Sequence, residues 1–244
     1  GYEVTYIDVT ERGVIDLEQL KNAIRNNTVV ISVMYVNNET GVVQPIDEIA
    51  EMIEGKGIVL HTDAVQGVGK EMILPKKQGI HALSAAAHKF YGPKGTGFLY
   101  LDQNYMIEKE ITGGSQERNR RSGTENVHGI VGMAKALEIV YSDMEEEQAK
   151  EKEMQIYLEE ALKKEICNIK INCGNSRRIS SVVNITLEDC NVQTLMVALD
   201  MEGICVSGGS ACMSGAMETS QVLKAMGASE EDLKSSIRVS IGRY

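Results

Sequence analysis

The 244-residue chain has no apolar run approaching the ~20 residues that span a bilayer, and no basic-then-apolar leader opens it at Gly1. Positive charge is in deficit. Lys and Arg number 25 against 35 Asp and Glu, a net charge of −10. That balance argues against nucleic acid and against an anionic membrane as main partners. Cysteine is sparse. Cys167, Cys173, Cys190, Cys205 and Cys212 are odd in number and spaced for neither a zinc site nor a disulfide framework. A reducing cytoplasm is the expected setting. No internal repeat and no low-complexity linker interrupts the chain. A nucleotide-phosphate loop is missing too: Gly92-Pro93-Lys94-Gly95-Thr96-Gly97 lacks the Gly-Lys-Ser/Thr ending and runs into an apolar strand pattern.

What remains is an ordinary globular composition, 43% hydrophobic and 25% charged. The length suits one large domain or two modest ones, each with its own core. Strand patterns are expected over 1–7, 28–36, 57–61, 79–85 and 97–101, the second of them buried. Helical spacing falls over 14–24, with Asp16 as its cap, and over 45–54. Such alternation implies a mostly parallel sheet. A polar loop, 112–124, carries Arg118, Arg120 and Arg121. A helix follows over 125–164, and its charged middle, 143–152, reads as a solvated face. Then come strands 168–172 and 180–187, helix 192–202, a short strand 204–207 and a loop 208–215. Helices 219–226 and 230–235 and strand 236–240 complete the chain. The expected fold is α/β, with a large domain over 1–142 and a small α+β domain over 143–244.

Two strand ends carry the chemistry. Lys89 follows the strand over 79–85 in Ala87-His88-Lys89-Phe90-Tyr91-Gly92. A lysine held there can lose its charge in an apolar pocket and attack a carbonyl to form a Schiff base. Alone, a His-Lys pair beside a glycine turn reads as a solvated lysine. A second motif, His61-Thr62-Asp63-Ala64-Val65-Gln66, follows the strand 57–60 and changes that reading. Asp63 alone would be a helix cap. A carboxylate and a lysine at neighbouring strand ends are the pair that pyridoxal phosphate (PLP) chemistry uses. The Asp keeps the pyridine nitrogen protonated, so that the ring takes up electrons. In open α/β sheets, ligands sit at this end of the strands.

Cys212 lies among small residues, Gly208-Gly209-Ser210-Ala211-Cys212-Met213-Ser214-Gly215. A thiol that visits a cofactor and then an outside acceptor needs such a loop. Cys167, Cys190 and Cys205 read as buried structural thiols, and Cys173 as a loop thiol without a role. Arg238 emerges from a strand, where its planar fork can clamp a carboxylate through two hydrogen bonds. His61 and His81 read as structural, and His128 has no assigned role.

Six motifs, in order, carry a resemblance: Val36-Asn37-Asn38-Glu39-Thr40-Gly41, the two just described, Arg121-Ser122-Gly123-Thr124-Glu125-Asn126, Ser210-Ala211-Cys212 and Arg238-Val239-Ser240-Ile241-Gly242-Arg243. Together they resemble the class V aminotransferases of PLP fold type I, and within them the NifS/IscS-type cysteine desulfurases of the long-loop kind. The resemblance implies the aspartate aminotransferase fold, with PLP on Lys89. It places Asn38, Asp63, Gln66, His88 and Thr124 around the cofactor, and Asn38 and Arg238 on the substrate carboxylate. It makes Cys212 the persulfide carrier as L-cysteine becomes L-alanine, with a sulfur acceptor such as an iron–sulfur scaffold protein or a route to thiocofactors. It further implies a homodimer in which Ser122-Gly123-Thr124 reaches the partner's phosphate. The family's phosphate-binding Thr and ring-stacking His precede Gly1, and its last helix follows Tyr244, so a truncated chain is expected. Ala86 stands where the family has a phosphate-binding Ser. Selenocysteine lysis, another class V reaction, and a non-catalytic dimerisation or partner-binding module are the alternatives.

Overall fold

The computed structural model describes residues 1–208 and 219–243. They divide into two compact units: Asn27–Tyr35 with Ile46–Met144, and Gly1–Asn26 with Val36–Pro45 and Glu145–Tyr244.

The first unit is built on a four-stranded sheet in the order β1 (Val30–Met34), β2 (Val59–Asp63), β3 (Ala82–Ala86) and β4 (Gly97–Leu101). The first three strands are parallel and β4 returns antiparallel to β3. Helix α2 (Ile46–Ile53) lies between β1 and β2 in sequence and buries Ile46, Ile49 and Ile53, which its 3.6-residue period brings onto one side. The sheet alternates as a half-buried sheet should. Ile31, Leu60, Thr62, Leu83 and Ala85 are buried, whereas Val30 stays 51% exposed and Met34 40%. The expectation that β1 is buried throughout therefore needs correction. Its burial follows a period of two, because among the described residues only one face is covered.

The second unit holds an antiparallel sheet in the order β5 (Ile169–Asn172), β6 (Val182–Leu187) and β7 (Ser236–Ser240). Val183, Ile185 and Ile237 form its core against Leu158 and Leu162 of α5 (Met144–Glu165) and Leu195 of α6 (Val192–Met201). Short helices α7 (Gln221–Ala225) and α8 (Glu230–Lys234) are capped by Ser220 and Ser229, whose side chains accept from Leu223 N and Asp232 N. In the same unit, Asp16 caps α1 (Leu17–Ala23) by accepting from Gln19 N.

The units do not follow the single division at 142/143. Residues 1–26 and 36–45 cluster with the C-terminal part, because their hydrogen bonds go there: Val43 N to Arg177 O, Ile179 N to Gly41 O and the Ser176 hydroxyl to Arg12 O. Three local expectations also change. Residues 1–7 form no strand: Tyr2 and Tyr6 are exposed and no ladder partner lies among the described residues. The long helix breaks at Asp143 into α4 (Val127–Ser142) and α5. Residues 204–207 supply only one bridge, Ser207 to Arg238.

Candidate active site

Asp63 is the last residue of β2, with Met34 of β1 and Ser84 of β3 opposite it. The backbone is locked on both sides: Tyr35 N donates to Asp63 O at 2.7 Å and Ala64 N to Ser84 O at 2.9 Å. Thr62 points into the core, so strand alternation turns Asp63 to the open face. Its Oδ1 accepts the Val65 N–H at 3.0 Å, an Asx turn in place of the helix cap. Two residues earlier on the same face, the His61 ring spans Ser32 Oγ (2.8 Å) and Ser84 Oγ (3.3 Å), strapping three strands together. Burial lowers the His61 pKa from 6.5, which favours the neutral ring, against an opposing pull from Asp63. Its structural reading stands. So does that of His81, whose Nδ1 accepts from Leu60 N and whose ring packs on Tyr105. Gln66 is half-buried, with Lys70 Nζ 3.4 Å from its Oε1.

After β3 a 3-10 turn, Ala87–Phe90, buries Ala87 and Phe90 and leaves His88 and Lys89 exposed. Tyr91 closes it with φ 64. The glycines are dictated by crowding. A Cβ on Gly97 would lie 2.5 Å from Ala85 O, and one on Gly92 2.9 Å from the Ala87 Cβ. At the head of the turn Ala86 offers no side-chain hydrogen bond, which is the hydroxyl missing from the family pattern. In the polar loop, Ser122 is buried and donates to Gly114 O at 2.6 Å, so its hydroxyl is committed, while Thr124 is exposed. The loop holds a single turn, α3 (Gln116–Asn119), in which Glu117, Arg118 and Asn119 all have positive φ.

In the other unit, residues 36–43 make a tight turn closed by a Val36–Val43 bridge. Asn37, to which the sequence reading gave no role, is its hub. Its Oδ1 accepts from Glu39 N (2.9 Å), Thr40 N (3.0 Å) and Thr40 Oγ1 (3.1 Å). An Asn two and three residues ahead of such donors is an Asx-turn signal that local reading could have caught. Asn38 is half-buried, and its carbonyl accepts from Arg238 Nη1 at 2.9 Å. Arg238 Nε is buried and has no hydrogen-bond partner among the described residues. A buried cationic donor without an acceptor is costly unless a ligand supplies one. The free edge of this guanidinium therefore suits an anion. Cys212 lies outside the described residues.

The remaining thiols depart from expectation. Cys167 and Cys205 are exposed and Cys190 is half-buried. Cys167 follows the end of α5 and Cys205 follows α6, both in irregular, exposed segments. Cys173 is half-buried with φ 57, and burial pushes its thiol pKa up, against a hydrogen bond with Thr40.

These groups suit a pyridoxal-type cofactor by their chemistry: a carboxylate for a ring N–H, an amine for an aldehyde, and amide and imidazole groups for oxygen atoms. Asp63 and Lys89 leave adjacent parallel strands at the same end of the sheet. The chain belongs to the class-V aminotransferase family, whose model matches residues 1–244. Within that family it is similar to the cysteine desulfurase IscS of Dictyoglomus turgidum, 41% identical over 244 residues, which is all of this chain and 62% of that protein. A NifS-like protein from Rickettsia africae superposes with TM-score 0.88 at 35% identity, covering 97% of this chain and 63% of that one. A structure described as SspA in complex with cysteine superposes with TM-score 0.83 at 33% identity, over 100% of this chain and 67% of that one. The chain thus spans about three-fifths of the curated relatives it matches.

Proposed function

We propose that this protein is a PLP-dependent cysteine desulfurase that converts L-cysteine to L-alanine and leaves the sulfur as a persulfide on Cys212. The observation that carries the reading is the Asp63 and Lys89 pair at the ends of adjacent parallel strands. Similarity to proteins named cysteine desulfurase along the whole chain supports it.

When bound, PLP supplies an electron sink for the pair left at the substrate Cα. Lys89 would hold the cofactor and then move the Cα proton. Asp63 would keep the ring nitrogen protonated. Gln66 and Asn38 would hydrogen-bond the ring oxygen. His88 would hold the phosphate together with Thr124 of the partner subunit, in a homodimer. Arg238, whose Nε has no partner among the described residues, would grip the substrate carboxylate alongside Asn38. The Cys212 thiolate would attack the substrate sulfur. A sulfur–sulfur bond forms, the carbon–sulfur bond breaks with its pair going to carbon, and a proton completes alanine. One cysteine and one thiol become one alanine and one persulfide, so atoms and electrons balance. The sulfur would pass, in the cytoplasm, to an acceptor such as an iron–sulfur scaffold protein.

The test is direct. The purified protein with added PLP should show the Schiff-base absorbance band, and L-cysteine should give alanine. Cys212→Ala should abolish sulfide release. Release at an undiminished rate from that variant would overturn the assignment.

A further inference from the structure

We infer that Glu39 is a positioning residue: through Ser220, its carboxylate fixes the exit of the chain segment that carries Cys212. The inference rests on the desulfurase reading for its chemistry and on described residues of one unit for its geometry. Glu39 is 4% exposed and Ser220 7%. The Ser220 hydroxyl donates to Glu39 Oε2 at 2.5 Å and accepts from Leu223 N at 3.0 Å. Its one proton and a lone pair are thus both used. A serine that merely caps α7 could give its proton to water. Here the proton goes to a buried carboxylate, a group that is costly to bury unless it is held by hydrogen bonds.

Glu39 is itself held from three directions. Its N–H donates to Asn37 Oδ1 at 2.9 Å. Its carbonyl accepts from Asn184 Nδ2 of β6 at 3.2 Å. The carbonyl just before it, Asn38 O, accepts from Arg238 Nη1 at 2.9 Å. One short turn therefore joins the Arg238 guanidinium to the Ser220 hydroxyl, eight residues beyond Cys212 in sequence. On the other side, Ser207 and Arg238 exchange two backbone bonds of 3.1 and 2.6 Å, five residues before Cys212. Ser207 and Ser220, which flank Cys212 in sequence, are therefore both held by hydrogen bonds within one unit. Without the Glu39 contact Ser220 is held, among the described residues, only by α7, through Leu223 N and Lys224 N, and its tie to the turn at 36–43 is lost.

The experiment uses the PLP-loaded protein and the variants Glu39→Ala, Glu39→Gln and Ser220→Ala. Iodoacetamide labelling is followed peptide by peptide, with the exposed Cys167 as internal reference. We expect Cys212 labelling to change at least ~5-fold in Glu39→Ala and in Ser220→Ala, with Cys167 unchanged. Alanine formation should lose about tenfold in kcat, ~1.4 kcal/mol, while KM for L-cysteine stays within about twofold. Glu39→Gln keeps an acceptor oxygen and should recover most of both. Glu39→Ala leaves the α7 cap intact and Ser220→Ala does not, so agreement between them isolates the anchor. Unchanged Cys212 labelling in both alanine variants, or a Glu39→Gln as impaired as Glu39→Ala, would overturn the inference. A wild-type protein that makes no alanine would sink the desulfurase reading instead, and the labelling ratios would still decide the anchor.

Discussion

Replacing Arg238 with Lys isolates one geometric property, since the charge is kept and the fork is lost. In the structure Nη1 is committed to the Asn38 carbonyl at 2.9 Å, and Nε is buried without an acceptor among the described residues. A single ammonium cannot hold that carbonyl and also present a second, coplanar donor to a carboxylate. The variant should lose one charge-assisted hydrogen bond to substrate, about 1.5–3 kcal/mol. That corresponds to a rise of roughly 10- to 150-fold in KM for L-cysteine. Steady-state alanine production gives the kinetic split, and the cofactor absorbance change on adding L-cysteine reports binding without turnover. A melting curve checks that the Asn38 turn survives. Arg238→Lys with KM within twofold of wild type would refute the clamp. A loss confined to kcat would mean that Arg238 acts by holding Asn38 in place rather than by touching substrate.

Lys89→Ala should abolish the borohydride-reducible attachment of PLP, read by mass spectrometry; a persisting adduct would reassign the lysine. Asp63→Asn should retain PLP yet lose alanine formation by at least ~100-fold, because a neutral pyridine is a poor electron sink; near-normal rates would exclude that role. His61 has a lowered pKa in the folded state, so the unfolded chain binds the extra proton first. Its contribution to stability is complete above the ordinary value of 6.5 and is lost as pH falls through the folded-state value. His61→Gln should therefore flatten the fall in melting temperature between about pH 7.5 and 5.5, and an unchanged slope would contradict this. Gly41 has φ 74, and an added Cβ would meet the Val182 Cβ at 3.2 Å and Ile179 Cγ1 at 3.3 Å. Gly41→Ala should cost about 2–4 kcal/mol by calorimetry, from the left-handed backbone and overpacking combined. Thr124→Ala should weaken PLP binding. Subunit exchange with Lys89→Ala should restore affinity at the Lys89-bearing sites, and no recovery would reject the shared phosphate site.

Local pattern was enough for most elements and for the strand-end positions of Asp63 and Lys89. Short apolar runs ended by His-Thr-Asp and by Ala-His-Lys announce strands whose last residues leave the sheet, and neighbouring parallel strands put those residues at one end. Glycines at 92 and 97 were legible as turn formers, and the structure adds the reason, since a Cβ at either would strike the preceding strand or turn. Burial was less legible. Residues 28–36 are apolar throughout, yet β1 covers only one side, because burial depends on what lies across the strand rather than on the strand itself. Cys167 and Cys205 were misread for the same reason. The division of the chain into units was also hidden, since residues 36–45 take their backbone partners from beyond residue 170. By itself the sequence determined which residues are candidates for the chemistry and where strands and turns place most of them, because placement follows from periodicity and from short-range backbone geometry. Only the tertiary structure decided the partners of Arg238 and Glu39, which lie 200 and 181 residues from Asn38 and Ser220. No local periodicity encodes contacts at such separations; they exist because β6, β7 and the turn at 36–43 pack within one unit.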